Sequence, residues 1–296
     1  MTKFAYVTVM YGKNIYLTGA LVLGYSLMKT GTNFDRVILV TPDVSSEYNP
    51  KDAIQGSARS AEYKSYLKTI YTHIIDIDYV TASAEIFLET DTRFRDVFTK
   101  LACLNLTQYD KIILLDLDMI VTKNIDHLFK LEAPAACLKR FYVPFGKKIP
   151  ANMICQGNKL VGSINAGLML LKPDKKEWDD IKEDIMHNTQ INKYKYPEQD
   201  YLSLRYCGKW ISITSNYNFQ FGLTHRVKKC HYRAEDIYVI HYSSSYKPWN
   251  DLIENRIESL DEIEFKKQHQ KYYTLWKNAY LIIKEKFEKE GIVLPY

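Results

Sequence analysis

The chain has no hydrophobic run long enough for a membrane span. Apolar stretches within residues 1–28 are interrupted by Lys3, Gly12, Lys13 and Asn14, and nothing reaches the roughly 18 apolar residues that a span needs. No signal peptide is recognisable. Cysteine is scarce: the 5 residues Cys103, Cys137, Cys155, Cys207 and Cys230 are odd in number, widely spaced and without a C-x-x-C pair. That pattern speaks against a zinc site or disulfide framework and for a reducing, cytoplasmic setting. Charge is not concentrated either. The net charge is +5 and no block of like charge exceeds a few residues, which disfavours dedicated nucleic-acid binding and fits a small anionic ligand. No G-x-G-x-x-G follows the first apolar run and no G-x-x-x-x-G-K-[ST] occurs, so dinucleotide and P-loop readings lose their main support. Internal repeats and low-complexity linkers are also absent.

What remains is a chain of 296 residues, 46% hydrophobic and 25% charged, the balance of a soluble globular protein with one large α/β domain or two small ones. Its 24 tyrosines are spread throughout. They suit amphipathic packing near the surface, and sugar-handling grooves also use aromatic faces. The most informative stretch is Lys111-Ile112-Ile113-Leu114-Leu115-Asp116-Leu117-Asp118. Its aliphatic run reads as a buried strand, and along an extended backbone residues i and i+2 point the same way, so Asp116 and Asp118 can converge. Two like charges at the end of an apolar strand are costly unless a cation lies between them. Oxygen ligands suit Mg²⁺ or Mn²⁺, ions that keep positions open for substrate phosphates. A solvated polar turn, or a phosphohydrolase with an aspartyl nucleophile, fits the same residues. The latter carries Thr or Val four positions after its first aspartate, where Ile120 stands here.

Along the chain, residues 4–10 predict a strand, 16–29 a helix and 36–41 a second strand closed by Pro42. A third strand is predicted near residues 73–77, and a helix over 98–106 leads into the Asp-x-Asp strand. This alternation predicts βαβ crossovers and a mainly parallel sheet, with ligands beyond the carboxyl ends of the strands, where Asp116 and Asp118 fall. Further on, 163–171 reads as a strand, 175–187 and 199–205 as helices, and 238–241 as a short strand ending in His241. In the tail, Trp276, Tyr280, Ile283 and Phe287 recur at spacings of 4, 3 and 4, an amphipathic helix that packs on the main domain. An oligomeric or membrane contact is the alternative for that stripe.

Several ordered segments resemble glycosyltransferase family 8, especially glycogenin and its relatives, including galactinol synthase. Residues 16–27 are similar to the family's opening helix, and 99–109 to the helix before the metal motif. Asn124-Ile125-Asp126-His127-Leu128-Phe129 resembles the stretch after that motif, and His241 with Lys247-Pro248-Trp249 resembles the closing signature. The resemblance covers residues 4 to about 250. It implies an α/β fold of GT-A type: a single Rossmann-like domain, its mainly parallel sheet flanked by helices, over residues 1–250, with a helical extension over 251–296. It also implies a divalent metal, Mn²⁺ with Mg²⁺ as the alternative, held by Asp116, Asp118 and His241 and bridging the diphosphate of a UDP-sugar. Lys247 becomes a phosphate contact. Thr8, Val9, Tyr16, Arg93, Lys100 and Leu117 become donor contacts, Asn165, Ala166 and Gly167 a turn that holds sugar hydroxyls, and Ser244 a neighbour of the diphosphate. The implied reaction is glycosyl transfer with retention, in which Gln199, Asp200 and Lys247 are catalytic: the first two steady positive charge at the anomeric carbon, and the last stabilises departing UDP. The donor is read as UDP-glucose, with UDP-galactose as runner-up.

The chain departs from the family pattern in places. Ser244 stands where the family has a glycine after its histidine, Glu198 replaces an aspartate, and Tyr11-Gly12-Lys13 holds an extra residue. At the position of the self-glucosylated tyrosine of glycogenin the count reaches His225, and no tyrosine lies between Gly222 and His231. The acceptor therefore stays open among a tyrosine of the chain itself, a glycan or growing glucan, a polyol and another protein. A catalytically silent nucleotide-sugar binder is the alternative from a different class, and a homodimer is an open expectation.

Overall fold

Ile112, Ile113, Leu114 and Leu115 are each at most 1% exposed, which accounts for the aliphatic run ahead of the paired aspartates. They belong to a central strand of a seven-stranded sheet in a computed structural model. It describes residues 2–11, 15–42, 60–82, 96–139, 141–157, 159–188, 191–220, 234–253 and 258–294. The sheet contains β1 (Phe4–Met10), β2 (Asp35–Val40), β3 (His73–Asp76), β4 (Lys111–Leu115), β6 (Ala135–Leu138), β9 (Ile164–Leu171) and β10 (Ile211–Ser212). Its order is β10-β6-β9-β4-β1-β2-β3. Strands β4, β1, β2 and β3 are mutually parallel, as the strand–helix alternation predicts, while β9 is antiparallel to both β4 and β6. Two strand pairs lie outside this sheet: β5 (Met119–Val121) with β11 (Val239–His241), and β7 (Cys155–Gln156) with β8 (Lys159–Leu160).

Helix α1 (Tyr16–Lys29) connects β1 to β2 and lies against α2 (Ser60–Lys68). Gly24 lets α1 approach the turn that follows α2, since a Cβ there would lie 2.5 Å from Ile70 Cγ2. The predicted helix over 98–106 is a 3-10 helix, Val97–Asn105. At three residues per turn, positions i and i+3 fall in line, which puts Val97 and Lys100 on the same cleft wall. Helices α3 (Lys175–His187), α4 (Pro197–Arg205), α5 (Leu260–Gln268) and α6 (Gln270–Lys289) follow. Asp174 caps α3 by accepting from the Glu177 N–H at 2.8 Å. Helix α6 lies on α1, with Trp276, Tyr280, Ile283 and Phe287 each 1% exposed. The period read from the tail is the spacing at which one face of a helix meets a core. Among the described residues no helix is long and apolar enough to cross a membrane.

The cysteine reading needs correction. Cys155 and Cys207 form a disulfide with Cα atoms 6.6 Å apart, although 52 residues separate them in sequence. It ties β7 to the turn after α4. Cysteine spacing concealed the pair because only the fold brings the two together, and the bond removes the support that spacing lent to a reducing compartment. Among the described residues, Cys103 and Cys137 are buried and lie outside this disulfide.

Helix α4 is also tied to α3. Arg205 donates to Glu177 through Nε at 2.8 Å and Nη2 at 3.1 Å, a two-point pair that holds the Glu177 carboxyl below its usual value. A carboxylate depressed in the folded state stabilises above its unfolded pKa and loses that contribution as pH falls through the folded one. Glu177→Gln should therefore cost about 1 kcal/mol at pH 7 in urea denaturation. The deficit should shrink towards zero as pH drops below about 4. A deficit unchanged in acid would show that the pair's charge is not the source.

Candidate metal and donor site

Strand β4 ends at Leu115, and the turn to β5 carries Asp116, Leu117 and Asp118. The pairing of β5 with β11 puts His241 opposite Met119, and the Tyr242 N–H donates to the Asp118 carbonyl at 2.8 Å. A histidine 123 positions beyond Asp118 in sequence is thereby delivered to its side. One ligand atom from each of Asp116, Asp118 and His241 lies within 4.8 Å of the others. His241 Nε2 is 3.1 Å from Asp118 Oδ1 and 4.0 Å from Asp116 Oδ2.

Hydrogen bonds behind the ring determine its tautomer. The Gly167 N–H can only donate, so Asn165 presents its oxygen to it, at 3.0 Å. That oxygen also accepts from Asn218 Nδ2 at 2.7 Å, which turns Asn218 Oδ1 towards His241 Nδ1 at 2.8 Å. In the neutral ring Nδ1 then carries the proton and Nε2 offers a lone pair to the two carboxylates. Three electron-rich groups facing one point repel unless a cation joins them, and a ligating histidine whose other nitrogen is held from behind is the usual arrangement for a metal. The donor set fits a divalent ion with mixed carboxylate and imidazole ligation.

Gly167 makes room for the ring: a Cβ there would sit 2.4 Å from His241 Cε1 and 2.7 Å from Nδ1. Because His241 is 4% exposed, it has little space into which to retreat. Gly167→Ala should weaken Mn²⁺ binding by about 10- to 100-fold and cost about 1–3 kcal/mol of stability. Metal titration with a parallel melt checks both, and unchanged affinity would disconnect His241 from the metal.

Two ammoniums face these carboxylates. Lys247 Nζ lies 2.5 Å from Asp118 Oδ2 and donates to the Tyr242 carbonyl at 2.8 Å. Lys100 Nζ lies 3.0 Å from Asp116 Oδ1, 2.5 Å from Glu198 Oε1 and 3.3 Å from the Ala166 carbonyl. Burial would raise the Asp118 pKa, but the Lys247 ammonium beside it outweighs that and holds the carboxyl well below the usual range. Burial likewise opposes the charge on Lys100, and Asp116 and Glu198 override it, so this lysine stays protonated. Burial raises the Glu198 pKa, and Lys100 partly offsets that. With Asp116, Asp118 and Glu198 against Lys100 and Lys247, carboxylates outnumber ammoniums by one. Adding a divalent cation and then a diphosphate keeps such a site close to neutral.

These groups line a cleft of about 400 Å³ together with Val9, Tyr11, Tyr16, Val97, Leu117 and Trp249. Tyr16 and Trp249 meet edge to face at 5.7 Å. Of the expected donor contacts, Val9, Tyr16, Lys100, Asp116, Leu117 and Lys247 share this cleft. The Thr8 hydroxyl is committed to the Leu115 carbonyl at 2.7 Å. Asn165 and Gly167 stand behind His241, while the Ala166 N–H donates to Gln199 Oε1 at 3.4 Å. Asp200 accepts from the Tyr196 N–H at 3.0 Å, capping its own helix, and burial raises its pKa. Ser244 donates to the Tyr246 carbonyl at 2.7 Å. Arg93 and His225 lie outside the described residues. Sequence reasoning did not place Asn218, Tyr11 or the Glu198–Lys100 pair in the site. A single Asn or Tyr in a polar stretch carries no local signal, and each acquires its role from a strand distant in sequence.

A family model described as Glycosyl transferase family 8 matches residues 7–253. An uncharacterised protein of Acanthamoeba polyphaga mimivirus is 67% identical over 296 residues, with both chains covered in full. Galactinol synthase 6 of Arabidopsis thaliana is 27% identical over 316 residues, covering 99% of this chain and 86% of that protein. Glycogenin-1 of Mus musculus is 25% identical over 287 residues, covering 93% and 75%. Among solved structures, the glycosyltransferase GlyE of Streptococcus pneumoniae superposes with a TM-score of 0.58 at 19% identity, over 100% of this chain and 65% of that one.

Proposed function

The chain belongs to glycosyltransferase family 8 and has the GT-A fold, and from that premise we propose a retaining, metal-dependent hexosyltransferase that moves glucose from UDP-glucose to a hydroxyl acceptor. The observation that carries this reading is the convergence of two carboxylates and one oriented imidazole nitrogen at the mouth of a cleft that also holds two lysines. Asp116, Asp118 and His241 would hold a divalent ion, read as Mn²⁺, which when bound supplies a Lewis acid beside the diphosphate.

The remaining work falls to the chain's own groups. Lys247 is anchored by the Tyr242 carbonyl and is placed to exchange its contact with Asp118 for a phosphate oxygen, adding positive charge where the leaving group becomes anionic. Lys100, held by Asp116 and Glu198, adds a second positive charge to the same cleft. Val9, Tyr16 and Trp249 offer apolar and aromatic surface for the uridine. Asn165, Gln199 and Asp200 lie on the side of β9 and α4, where the hexose would rest, and orient its hydroxyls. A UDP-galactose donor is the second reading, favoured by the 27% identity to galactinol synthase 6.

The test is UDP release and intact-protein mass after incubation with Mn²⁺ and either UDP-glucose or UDP-galactose, with Asp118→Ala in parallel. Metal-dependent UDP release with one donor, lost in the variant, supports transfer and names the sugar. UDP binding without release from either donor would make the chain a nucleotide-sugar binder.

A further inference from the structure

Beside Gln199 the surface carries aromatic rings that the fold does not use. In the loop leaving β6, Phe141 is 49% and Tyr142 63% exposed, and Tyr196, just ahead of α4, is 38% exposed. Large exposed rings on an anchored loop are unfavourable in water and mark a contact surface. This loop is anchored at both ends. The Lys139 N–H donates to the Ser163 carbonyl at 2.9 Å, and the Val143 carbonyl accepts from the Ser212 hydroxyl at 2.7 Å. Phe141 lies over Gly162, where an added Cβ would be 3.5 Å from its ring. Lys139 Nζ sits 3.7 Å from the centre of the Tyr196 ring, which occupies its charge. Ser163 closes the connection inward, its hydroxyl accepting from Gln199 Nε2 at 3.4 Å. The rim is therefore continuous with the end of the proposed donor site where the hexose would lie.

Aromatic faces next to a hydroxyl and a carboxamide are complementary to a pyranose. A ring covers the apolar C–H face of the sugar, and the polar groups bond its hydroxyl edge. We propose that Phe141, Tyr142, Tyr196 and Ser163 form the acceptor subsite and that the acceptor is a carbohydrate bound by stacking, not a protein side chain. The proposal rests on the transferase reading above. The step balances bond for bond: an acceptor hydroxyl oxygen bonds to the anomeric carbon, the bond from that carbon to UDP breaks with its electron pair on UDP, and the hydroxyl proton passes to the released diphosphate.

The experiment follows UDP release with Mn²⁺ and UDP-glucose or UDP-galactose, without acceptor and with maltose, lactose, cellobiose, myo-inositol or a tyrosine-containing peptide. Saturable stimulation of at least 10-fold by one of the disaccharides is expected. For that sugar, Phe141→Ala and Tyr142→Ala should each raise KM about 10-fold with a much smaller change in kcat. Tyr142→Phe should restore most of the loss, because stacking needs the ring and not the hydroxyl. Stimulation by inositol or the peptide alone, a hexose attached to Tyr142 itself, or an unchanged saccharide KM in both alanine variants would each overturn the subsite while leaving basal UDP release intact. Absence of metal-dependent UDP release altogether would overturn the transferase reading, and the subsite with it.

Discussion

Asp118→Ala should reduce sugar transfer by at least about 10³-fold while leaving the protein folded. Asp118 is the most heavily committed carboxylate in the site: one oxygen faces His241 Nε2 at 3.1 Å and the other faces Lys247 at 2.5 Å. Removing it subtracts one of three candidate metal ligands and one of the two contacts that hold Lys247. Loss of a single preorganised electrostatic group typically costs about 10²–10³ in rate, and loss of the Lewis acid comes on top. The melt separates chemistry from folding. A ligand that binds only the folded state raises the melting temperature, so Mn²⁺ should stabilise the wild type and leave the variant unmoved. Transfer activity surviving in Asp118→Ala would remove the metal from the mechanism.

The largest stability effect is expected at Trp276, in the hydrophobic core. It is 1% exposed, stacked on Tyr280 at 5.6 Å between ring centres with planes 9° apart, and 6.1 Å from Trp249. Truncating a buried tryptophan leaves a cavity and costs about 3–5 kcal/mol, which for a domain of this size lowers the melting temperature on the order of 10 °C. The effect should reach the site. Trp249 lines the cleft and packs so closely on α1 that a Cβ at Gly19 would lie 2.7 Å from its ring. Loss of its neighbour loosens that wall, and UDP affinity should fall alongside stability. Trp276→Phe, which refills most of the space, should recover most of both. A Trp276→Ala protein that melts like the wild type would mean that α6 contributes little to the fold.

How much of this was legible in the chain depended on the range of each signal. Lys111-Ile112-Ile113-Leu114-Leu115 announces a buried strand because burial on both faces requires uninterrupted aliphatics. The Trp276, Tyr280, Ile283 and Phe287 spacing announces one helical face, since 3.6 residues per turn brings those positions together. The helix read over residues 175–187 forms with those bounds, and the structure caps it with Asp174. These signals are local, and they carried the fold class. The short strand β5 was not legible: three residues after a polar turn have no periodicity, and their pairing with β11 is decided by packing. The Cys155–Cys207 bond was missed for the same reason, and spacing alone even argued against it.

The site divides along the same line. By itself the sequence singled out Asp116 and Asp118 as a carboxylate pair at the end of an apolar strand, and the turn between β4 and β5, not strand alternation, brings them together. His241 and Lys247 could be singled out from sequence only through the order of motifs shared with a family. Tertiary structure alone decided that the imidazole turns Nε2 towards those aspartates. That choice is made by Gly167, Asn165 and Asn218, on β9 and the segment before residue 220. A hydrogen-bond relay has no period and no composition, and its members become neighbours only once the strands that carry them have packed.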